Sequence, residues 1–180
     1  MENKALFLDR DGVINHDTGY VHSIKDFNFI DGIFNLCKKA LSKHYLIIVI
    51  TNQSGIGRGL YTLNDFNYLT NWMCSEFAQK DILITKVYHS PYHPIYGLGE
   101  YKRDHYTRKP QPGMVHMAAK DFSLNLFESI LIGDKDSDIQ AGQKAGVKTN
   151  ILFDVNHAST FRHEKNYQVI KDLREAEFFL

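Results

Sequence analysis

Two carboxylates one residue apart follow an apolar run near the start of the chain. The run at residues 5–8 leads into Asp9-Arg10-Asp11-Gly12. A buried strand that ends in this way places both acids at the carboxyl edge of a sheet, where open α/β folds bind ligands. Two negative charges this close oppose each other's ionisation, and a divalent cation such as Mg²⁺, which prefers carboxylate oxygens, relieves the repulsion. The pair therefore indicates metal-assisted chemistry on an anionic substrate.

Two later apolar runs also end in polar residues, and a basic pair stands before a helix that begins with proline. One run ends in Thr51-Asn52-Gln53, the other ends in Gly133-Asp134-Lys135-Asp136-Ser137-Asp138, and the basic pair is Arg108-Lys109. The carboxyl ends of parallel strands lie along one edge of their sheet. We therefore expect these side chains to converge on one site.

Each of these residues suits a task in phosphoryl transfer, which depends mainly on positioning and on neutralisation of charge. Asp9 can attack phosphorus and form an aspartyl-phosphate, and Asp11 can protonate the leaving oxygen and then deprotonate the hydrolytic water. Thr51 can donate its hydroxyl to a phosphoryl oxygen, while Lys109 supplies positive charge to the phosphoryl group and the nucleophile. Asp134 would complete a Mg²⁺ site with Asp9 and the backbone carbonyl of Asp11.

The segments around these motifs alternate between strand-like and helix-like patterns. We predict strands at 4–8, 45–50, 82–88, 129–132 and 149–153, and helices at 31–42, 62–79, 112–121, 137–145 and 173–178. Thr62 and Asp65 resemble a capping box that opens the second of these helices. This order favours an α/β fold, a Rossmann-like three-layer α/β/α sandwich with a mainly parallel sheet. We expect one domain over residues 1–180, with no separate cap domain.

The composition argues against several classes of protein. Lysine plus arginine and aspartate plus glutamate each number 21 in 180 residues, which argues against a general binder of nucleic acid or of membrane surfaces. Cys37 and Cys74 lie among apolar neighbours and fit neither a disulfide framework nor a Cys-x-x-Cys metal site. The first residues lack the pattern of a signal peptide, and no apolar run reaches membrane-spanning length. We expect a cytoplasmic protein, and we expect a monomer.

Taken together, the motifs resemble the four motifs of the haloacid dehalogenase superfamily of phosphatases. The residues that carry this resemblance are Asp9-Arg10-Asp11-Gly12, Thr51-Asn52, Lys109 and Gly133-Asp134-x-x-x-Asp138. Longer matches point to one branch, and they are the stretches 7–12, 19–22, 29–32, 51–59, 108–114 and 133–135. That branch holds the D-glycero-D-manno-heptose 1,7-bisphosphate 7-phosphatases and the histidinol-phosphate phosphatases. The resemblance covers roughly residues 4–150.

The resemblance implies the roles already given and adds others. The substrate-binding residues that it implies are Asn52, Gln53, Arg58, Arg108 and Lys135. Gln53 and the two arginines would contact the distal part of the substrate, where a second phosphate suits a planar, always charged guanidinium. Arg58 could instead be a surface charge. Asp138 would either orient the metal loop from behind the ligands or cap the next helix.

The long irregular stretch at residues 89–109 departs from the pattern of the branch. The branch usually binds a structural zinc there through a Cys-x-His pair and a Cys-x-Cys pair, but this sequence has Ser90-Pro91-Tyr92-His93 and His105-Tyr106-Thr107. Serine, tyrosine and threonine are poor zinc ligands. We therefore predict that structural zinc is absent; the alternative is a rearranged site of His89, His93 and His105.

The motifs favour a Mg²⁺-dependent phosphatase that removes the 7-phosphate of D-glycero-D-manno-heptose 1,7-bisphosphate, in synthesis of nucleotide-activated heptose for lipopolysaccharide or capsule. The implied partner is a small phosphorylated sugar, with no nucleic acid and no membrane. One alternative is a histidinol-phosphate phosphatase, whose amine substrate would suit an acidic or aromatic-lined pocket. Another is a catalytically idle binding module, against which the presence of all the catalytic residues speaks.

Overall fold

The sheet of this protein is built from six strands that all run parallel. The computed structural model describes residues 2–154 and 166–180. The strands are β1 (Lys4–Leu8), β2 (Tyr45–Asn52), β3 (Ile84–Ser90), β4 (Ile130–Gly133), β5 (Thr149–Phe153) and β6 (Gln168–Ile170). Their order across the sheet is β3-β2-β1-β4-β5-β6. Every neighbouring pair is parallel, so the carboxyl ends of β1, β2 and β4 lie side by side at one edge.

Helices cover both faces of the sheet. They are α1 (Ile33–Ser42), α2 (Ser54–Gly57), α3 (Leu63–Ala78), α4 (Gly113–Phe122) and α5 (Asp136–Ala145), followed by a 3-10 helix at Leu173–Phe179. Successive residues of a strand point to opposite faces. Accordingly, Leu6 and Leu8 of β1 join an apolar cluster with α1 and α3, whereas Ala5 and Phe7 join a second cluster with α4. The predicted three-layer sandwich is therefore confirmed.

Most of the predicted elements are present, with shifts of one or two residues at their ends. The capping box of α3 is confirmed, since Asp65 N–H donates to Thr62 Oγ1 at 3.1 Å and Thr62 N–H donates to the Asp65 carboxylate at 2.8 Å. β6 was not predicted, because Gln168 and Val169 of this three-residue edge strand are exposed and show no apolar alternation. Among the described helices, none is both long and apolar enough to cross a membrane.

Candidate active site

Three carboxylates meet at the carboxyl edge of the sheet. Asp9 follows β1, Asp134 follows β4, and Asp138 lies in the first turn of α5. One oxygen from each lies within 4.8 Å of the other two. Gly133 permits this approach, because a Cβ at that position would lie 2.1 Å from the Cβ of Asp138. The predicted convergence of Asp9 and Asp134 is therefore present, and Asp138 lies directly beside them.

Lys109 contacts two of these carboxylates through its ammonium. Its buried ammonium lies 2.9 Å from Asp9 Oδ1 and 2.5 Å from Asp138 Oδ1, and it donates to the Ile50 carbonyl at 2.8 Å. The ammonium therefore contacts three oxygen atoms of the protein. Burial disfavours the charged form, but the carboxylates of Asp138 and Asp9 outweigh that effect and raise the pKa of Lys109. Lys109 therefore acts as a fixed positive charge beside Asp9.

The cluster carries more negative charge than Lys109 can offset. Burial raises the pKa of Asp9, although Lys109 opposes that rise. Burial, assisted by the charge of Asp9, raises the pKa of Asp134 to about 7. Asp134 Oδ1 is buried and has no hydrogen-bond donor among the described residues. Buried, closely spaced carboxylate oxygens with an unpartnered atom among them fit a hard divalent cation.

Asp11 lies apart from this cluster and is held as a separate carboxylate. Arg10 donates from Nε and Nη2 to Asp11 Oδ1 at 3.1 and 2.9 Å, and from Nη2 to Oδ2 at 2.9 Å. Asn15 donates to Oδ1 at 3.0 Å and Gln53 donates to Oδ2 at 2.9 Å. These hydrogen bonds fix the Asp11 carboxylate, and its role in proton transfer remains a prediction. The expected metal contact through the Asp11 carbonyl remains a prediction.

The end of β2 is tied to the segment that carries the lysine. Asn52 donates to the carbonyl of Lys109 at 3.0 Å and accepts from its backbone N–H at 3.0 Å. This pair of hydrogen bonds fixes Lys109 against β2. Asn52, predicted to bind substrate, is therefore also a structural link. Thr51 is almost fully buried and accepts a hydrogen bond from Gln53 at 2.8 Å.

A cavity of about 290 Å³ opens over these groups. The predicted site residues that line it are Asp9, Asp11, Thr51, Asn52, Gln53, Lys109, Lys135 and Asp138. The ammonium of Lys135 lies 2.9 Å from Asp17 and 3.4 Å from Asp134, so it closes one side of the cavity with positive charge. The Asp138 carboxylate also accepts from the backbone N–H of Lys135 at 3.0 Å. Lys135 is the N-cap residue of α5, so this contact fits a role of Asp138 in capping the helix, and its role in orienting the metal loop remains a prediction.

Arg58 and Arg108 lie outside the lining of the cavity. Arg58 is hydrogen bonded to the hydroxyl of Tyr20, and its guanidinium lies 5.1 Å from the Tyr20 ring and 5.0 Å from the Tyr96 ring. Arg108 donates to the carbonyl of Tyr92 at 2.9 Å. Tyr20 lines the cavity, and Arg58 contacts Tyr20 without lining the cavity itself. Substrate contact by either arginine remains a prediction.

The segment between β3 and α4 is held together by aromatic and hydrogen-bond contacts. The ring of His105 stacks on Tyr92 with centroids 3.8 Å apart, and its Nδ1 lies 2.8 Å from Thr107 Oγ1. His93 Nδ1 accepts from the backbone of Tyr96 at 3.1 Å. Within residues 2–154 and 166–180, the one group of three or more potential metal ligands is the carboxylate cluster. The absence of structural zinc stays a prediction.

Several residues of the site escaped the sequence analysis. Arg10 is 1% exposed and binds Asp11, and a charged residue between two buried aspartates could have signalled that role. Asn15 follows Asp11 by four residues and carried no such signal. Tyr61 and Asp17 line the cavity but come from loops whose course the sequence does not specify.

Comparison with known proteins agrees with this geometry. A family model described as HAD-hydrolase-like matches residues 106–176. A D-glycero-alpha-D-manno-heptose-1,7-bisphosphate 7-phosphatase from Burkholderia mallei is 55% identical over 152 residues, which are 84% of this chain and 80% of that protein. A D-glycero-beta-D-manno-heptose-1,7-bisphosphate 7-phosphatase from Haemophilus influenzae is 44% identical over 150 residues, 83% of this chain and 81% of that protein.

A solved structure shows the same likeness in three dimensions. The D,D-heptose 1,7-bisphosphate phosphatase from B. bronchiseptica, complexed with magnesium and phosphate, matches with a TM-score of 0.84 at 26% identity, over 97% of this chain and 96% of that one. The parallel sheet and its acidic edge define a phosphatase of the haloacid dehalogenase type. Within that superfamily, the chain belongs to the family of the heptose-1,7-bisphosphate 7-phosphatases.

Proposed function

We propose that this protein hydrolyses the 7-phosphate of D-glycero-D-manno-heptose 1,7-bisphosphate with the help of Mg²⁺. The observation that carries the proposal is the buried Asp9–Lys109–Asp138 arrangement beside the separately held Asp11 at the floor of one cavity. Relatives at 55% and 44% identity carry the name of this activity. The reaction would serve the synthesis of nucleotide-activated heptose.

Asp9 performs the first step of this reaction. A carboxylate oxygen of Asp9 attacks phosphorus, the new bond to phosphorus forms, and the bond from phosphorus to the sugar oxygen breaks. Asp11 gives its proton to the departing oxygen, so the sugar leaves as an alcohol. The Asp9 carboxylate is held for in-line attack because Oδ1 accepts from Arg10 N–H at 2.7 Å and pairs with Lys109 at 2.9 Å.

Asp11 performs the second step with its role reversed. Its carboxylate takes a proton from a water molecule, which attacks the phosphorus of the aspartyl-phosphate. The bond between Asp9 and phosphorus breaks, inorganic phosphate leaves, and both aspartates return to their starting states. The hydroxyl of Thr51 donates to a phosphoryl oxygen in both steps.

The carboxylate cluster is the place where Mg²⁺ would bind. Asp9, Asp134 and the backbone carbonyl of Asp11 are the ligands that we propose. When bound, the ion offsets the negative charge of the phosphoryl group and of the carboxylates around it. The structure of the phosphatase from B. bronchiseptica contains magnesium and phosphate.

We further propose that the enzyme is a cytoplasmic monomer of one domain that acts without structural zinc, nucleic acid or membrane. The equal numbers of acidic and basic residues support the absence of nucleic acid and membrane partners. The stacking of His105 on Tyr92 supports the absence of zinc. His105 stands at a position where the branch would supply a zinc ligand, and here its ring packs against Tyr92 instead. Elemental analysis of the purified protein tests the absence of zinc, and stoichiometric zinc would contradict it. Size-exclusion chromatography tests the monomeric state.

Steady-state hydrolysis tests the proposed substrate. We expect the purified enzyme with Mg²⁺ to release phosphate from at least one anomer of heptose 1,7-bisphosphate with a higher kcat/KM than from histidinol phosphate. The two relatives described above are named for different anomers, so both must be assayed. Comparable or better turnover of histidinol phosphate would overturn the assignment of substrate while leaving the phosphatase mechanism intact.

A further inference from the structure

The side chain of Gln53 makes three hydrogen bonds at the floor of the cavity. Its Nε2 donates to Asp11 Oδ2 at 2.9 Å and to Thr51 Oγ1 at 2.8 Å. Its Oε1 accepts from the hydroxyl of Tyr61 at 2.5 Å. Gln53 is 2% exposed. Both amide hydrogens are therefore committed to Asp11 and Thr51, instead of to the distal part of a substrate.

The nitrogen of the Gln53 amide faces Asp11, whose carboxylate also accepts from Arg10 and Asn15. The oxygen then faces Tyr61, which must donate. Burial raises the pKa of Tyr61 to about 12, so the hydroxyl keeps its proton at neutral pH. This orientation of the amide gives each of the three neighbours a hydrogen bond.

Tyr61 is itself fixed by its surroundings. Its ring stacks on His22 with centroids 5.2 Å apart and planes 2° from parallel. Gly55 leaves room for the ring, because a Cβ there would lie 2.1 Å from Tyr61 Cε1. The loop after α2 therefore presents a rigid hydroxyl to Gln53.

This arrangement has consequences for two catalytic atoms. Since Thr51 Oγ1 accepts from Gln53, the hydroxyl hydrogen of Thr51 is left for a phosphoryl oxygen in the cavity. Asp11 Oδ1 accepts from three donor atoms, whereas Oδ2 accepts from two. Oδ2 is accordingly the oxygen with room for the proton that the leaving group receives, and it is the oxygen that Gln53 holds.

We propose that Gln53, oriented by Tyr61, is a positioning residue that aims Asp11 Oδ2 at the leaving oxygen and the Thr51 hydroxyl at the phosphoryl group. The proposal rests on the phosphatase mechanism given above, but not on the identity of the sugar. The resemblance to the family implies no role for Tyr61.

The test compares leaving groups. Removal of a well-aimed general acid slows the departure of a basic alkoxide more than the departure of an acidic phenolate, because the phenolate leaves without a proton. The variants are Tyr61→Phe, which deletes only the hydroxyl, and Gln53→Met, which keeps the length of the side chain without its polar atoms. The measured quantity is kcat/KM, which covers the steps up to departure of the leaving group, for a series of substituted phenyl phosphates and for the heptose bisphosphate.

We expect kcat/KM for the heptose bisphosphate to fall about 100-fold in Gln53→Met, at the lower end of the range of general acid catalysis. In Tyr61→Phe, where the amide that contacts Asp11 remains, we expect a smaller fall of about tenfold. For p-nitrophenyl phosphate we expect a loss several times smaller, so the dependence of rate on leaving-group pKa becomes steeper in both variants. Tyr88→Phe is the matched control, because the Tyr88 hydroxyl also donates to a side chain, Asp121 at 2.6 Å, while Tyr88 does not line the cavity.

Two outcomes decide the matter. Equal losses for every leaving group, with an unchanged slope, would overturn the proposal and leave a purely structural role for Gln53 and Tyr61. A steeper slope in Tyr61→Phe but not in Tyr88→Phe would support it, even where Gln53→Met fails to fold. Failure of the heptose substrate alone would show up as inactivity of the unaltered enzyme on that sugar, and the phenyl phosphates would still test the positioning role.

Discussion

The ammonium of Lys109 is the single positive charge that the structure places in contact with both Asp9 and Asp138, among the residues it describes. Both carboxylates are almost fully buried, as is the lysine. A buried ion pair that loses one partner leaves an uncompensated charge in a medium that solvates it poorly. At the level of single residues, the negative charges of Asp9 and Asp138 are therefore both paired with one side chain, that of Lys109.

We expect Lys109→Met to destabilise the fold by about 3–5 kcal/mol, since it strands two buried carboxylates. Urea denaturation without Mg²⁺ measures the effect. Lys135→Met is the control, because that ammonium also pairs with two aspartates but is half exposed; its loss should cost less than about 1 kcal/mol. Equal destabilisation by the two changes would contradict this interpretation.

Asp9→Asn should abolish turnover, because an amide is not a nucleophile toward phosphorus. Removal of a covalent nucleophile commonly lowers kcat by about 10³- to 10⁶-fold. Phosphate release under saturating substrate measures the change, with circular dichroism to show that the fold persists. Unchanged phosphate release would refute the covalent mechanism.

The sequence identifies the acids because they follow apolar runs, which places them at strand ends, and it identifies the lysine because it stands before a helix that begins with proline. It does not reveal that the Lys109 ammonium also contacts the Ile50 carbonyl, or that Gln53 faces Asp11. Those facts depend on side-chain orientations that are set by neighbours distant in the chain, such as Ile50 and Tyr61. Residue types were therefore predictable, while the partners of each residue were not.

At the scale of the element, the junction of β4 and α5 determines the geometry of the metal cluster. Gly133 ends β4, and the first turn of α5 folds back so that Asp138 packs directly over it. The same turn brings Asp134 to the cluster. Because Gly133 has no side chain, the short connection between β4 and α5 can place both Asp134 and Asp138 in the cluster.

Gly133→Ala should therefore lower both stability and the response to Mg²⁺. A Cβ at 2.1 Å from the Asp138 Cβ must displace α5, and such overpacking costs about 1–3 kcal/mol. Thermal unfolding with and without Mg²⁺ measures both effects. Gly146→Ala is the control: φ there is +89° with nothing within 4 Å, so alanine should strain the backbone without changing the response to Mg²⁺. An intact Mg²⁺ response in Gly133→Ala would contradict the prediction.

The strands and the longer helices could be predicted because their apolar periodicity reflects burial in the three layers. The Thr62 capping box was also readable, with aspartate in place of the usual glutamate. The four residues of α2 were not, because a glycine-rich segment is typical of a loop. The course of the loop between β3 and α4 was not predictable either, since stacking and hydrogen bonds between its own side chains fix it.

At the scale of the whole molecule, the pKa of Asp134 links folding, pH and metal. In the metal-free protein this pKa is about 7, raised from 3.8. Between these two values the folded chain holds a proton that the unfolded chain releases, so this group favours folding at low pH and loses that contribution as pH rises through 7. Above pH 7 the cluster bears its full repulsion unless a cation binds.

Mg²⁺ should accordingly raise Tm more at pH 8 than at pH 6, where a proton competes for the site. Binding at 100 times Kd stabilises by about 2.7 kcal/mol, which a thermal scan against EDTA resolves. In Asp134→Asn the dependence of the Mg²⁺ effect on pH should become weaker, although burial also raises the pKa of Asp9, which still binds a proton in competition with the ion. An equal shift at both pH values in the unaltered protein would show that Asp134 does not titrate in this range.

The position of β1 at the centre of the sheet also bears on synthesis by the ribosome. β1 is synthesised before β4, yet it must be flanked by β4, and Ala5 N–H bonds to Ser129 Oγ across 124 residues. A nascent chain that stops short of β4 has its nucleophile but neither Asp134 nor Asp138. The proposed site is therefore complete only after β4 and the first turn of α5 have been synthesised and have packed beside β1.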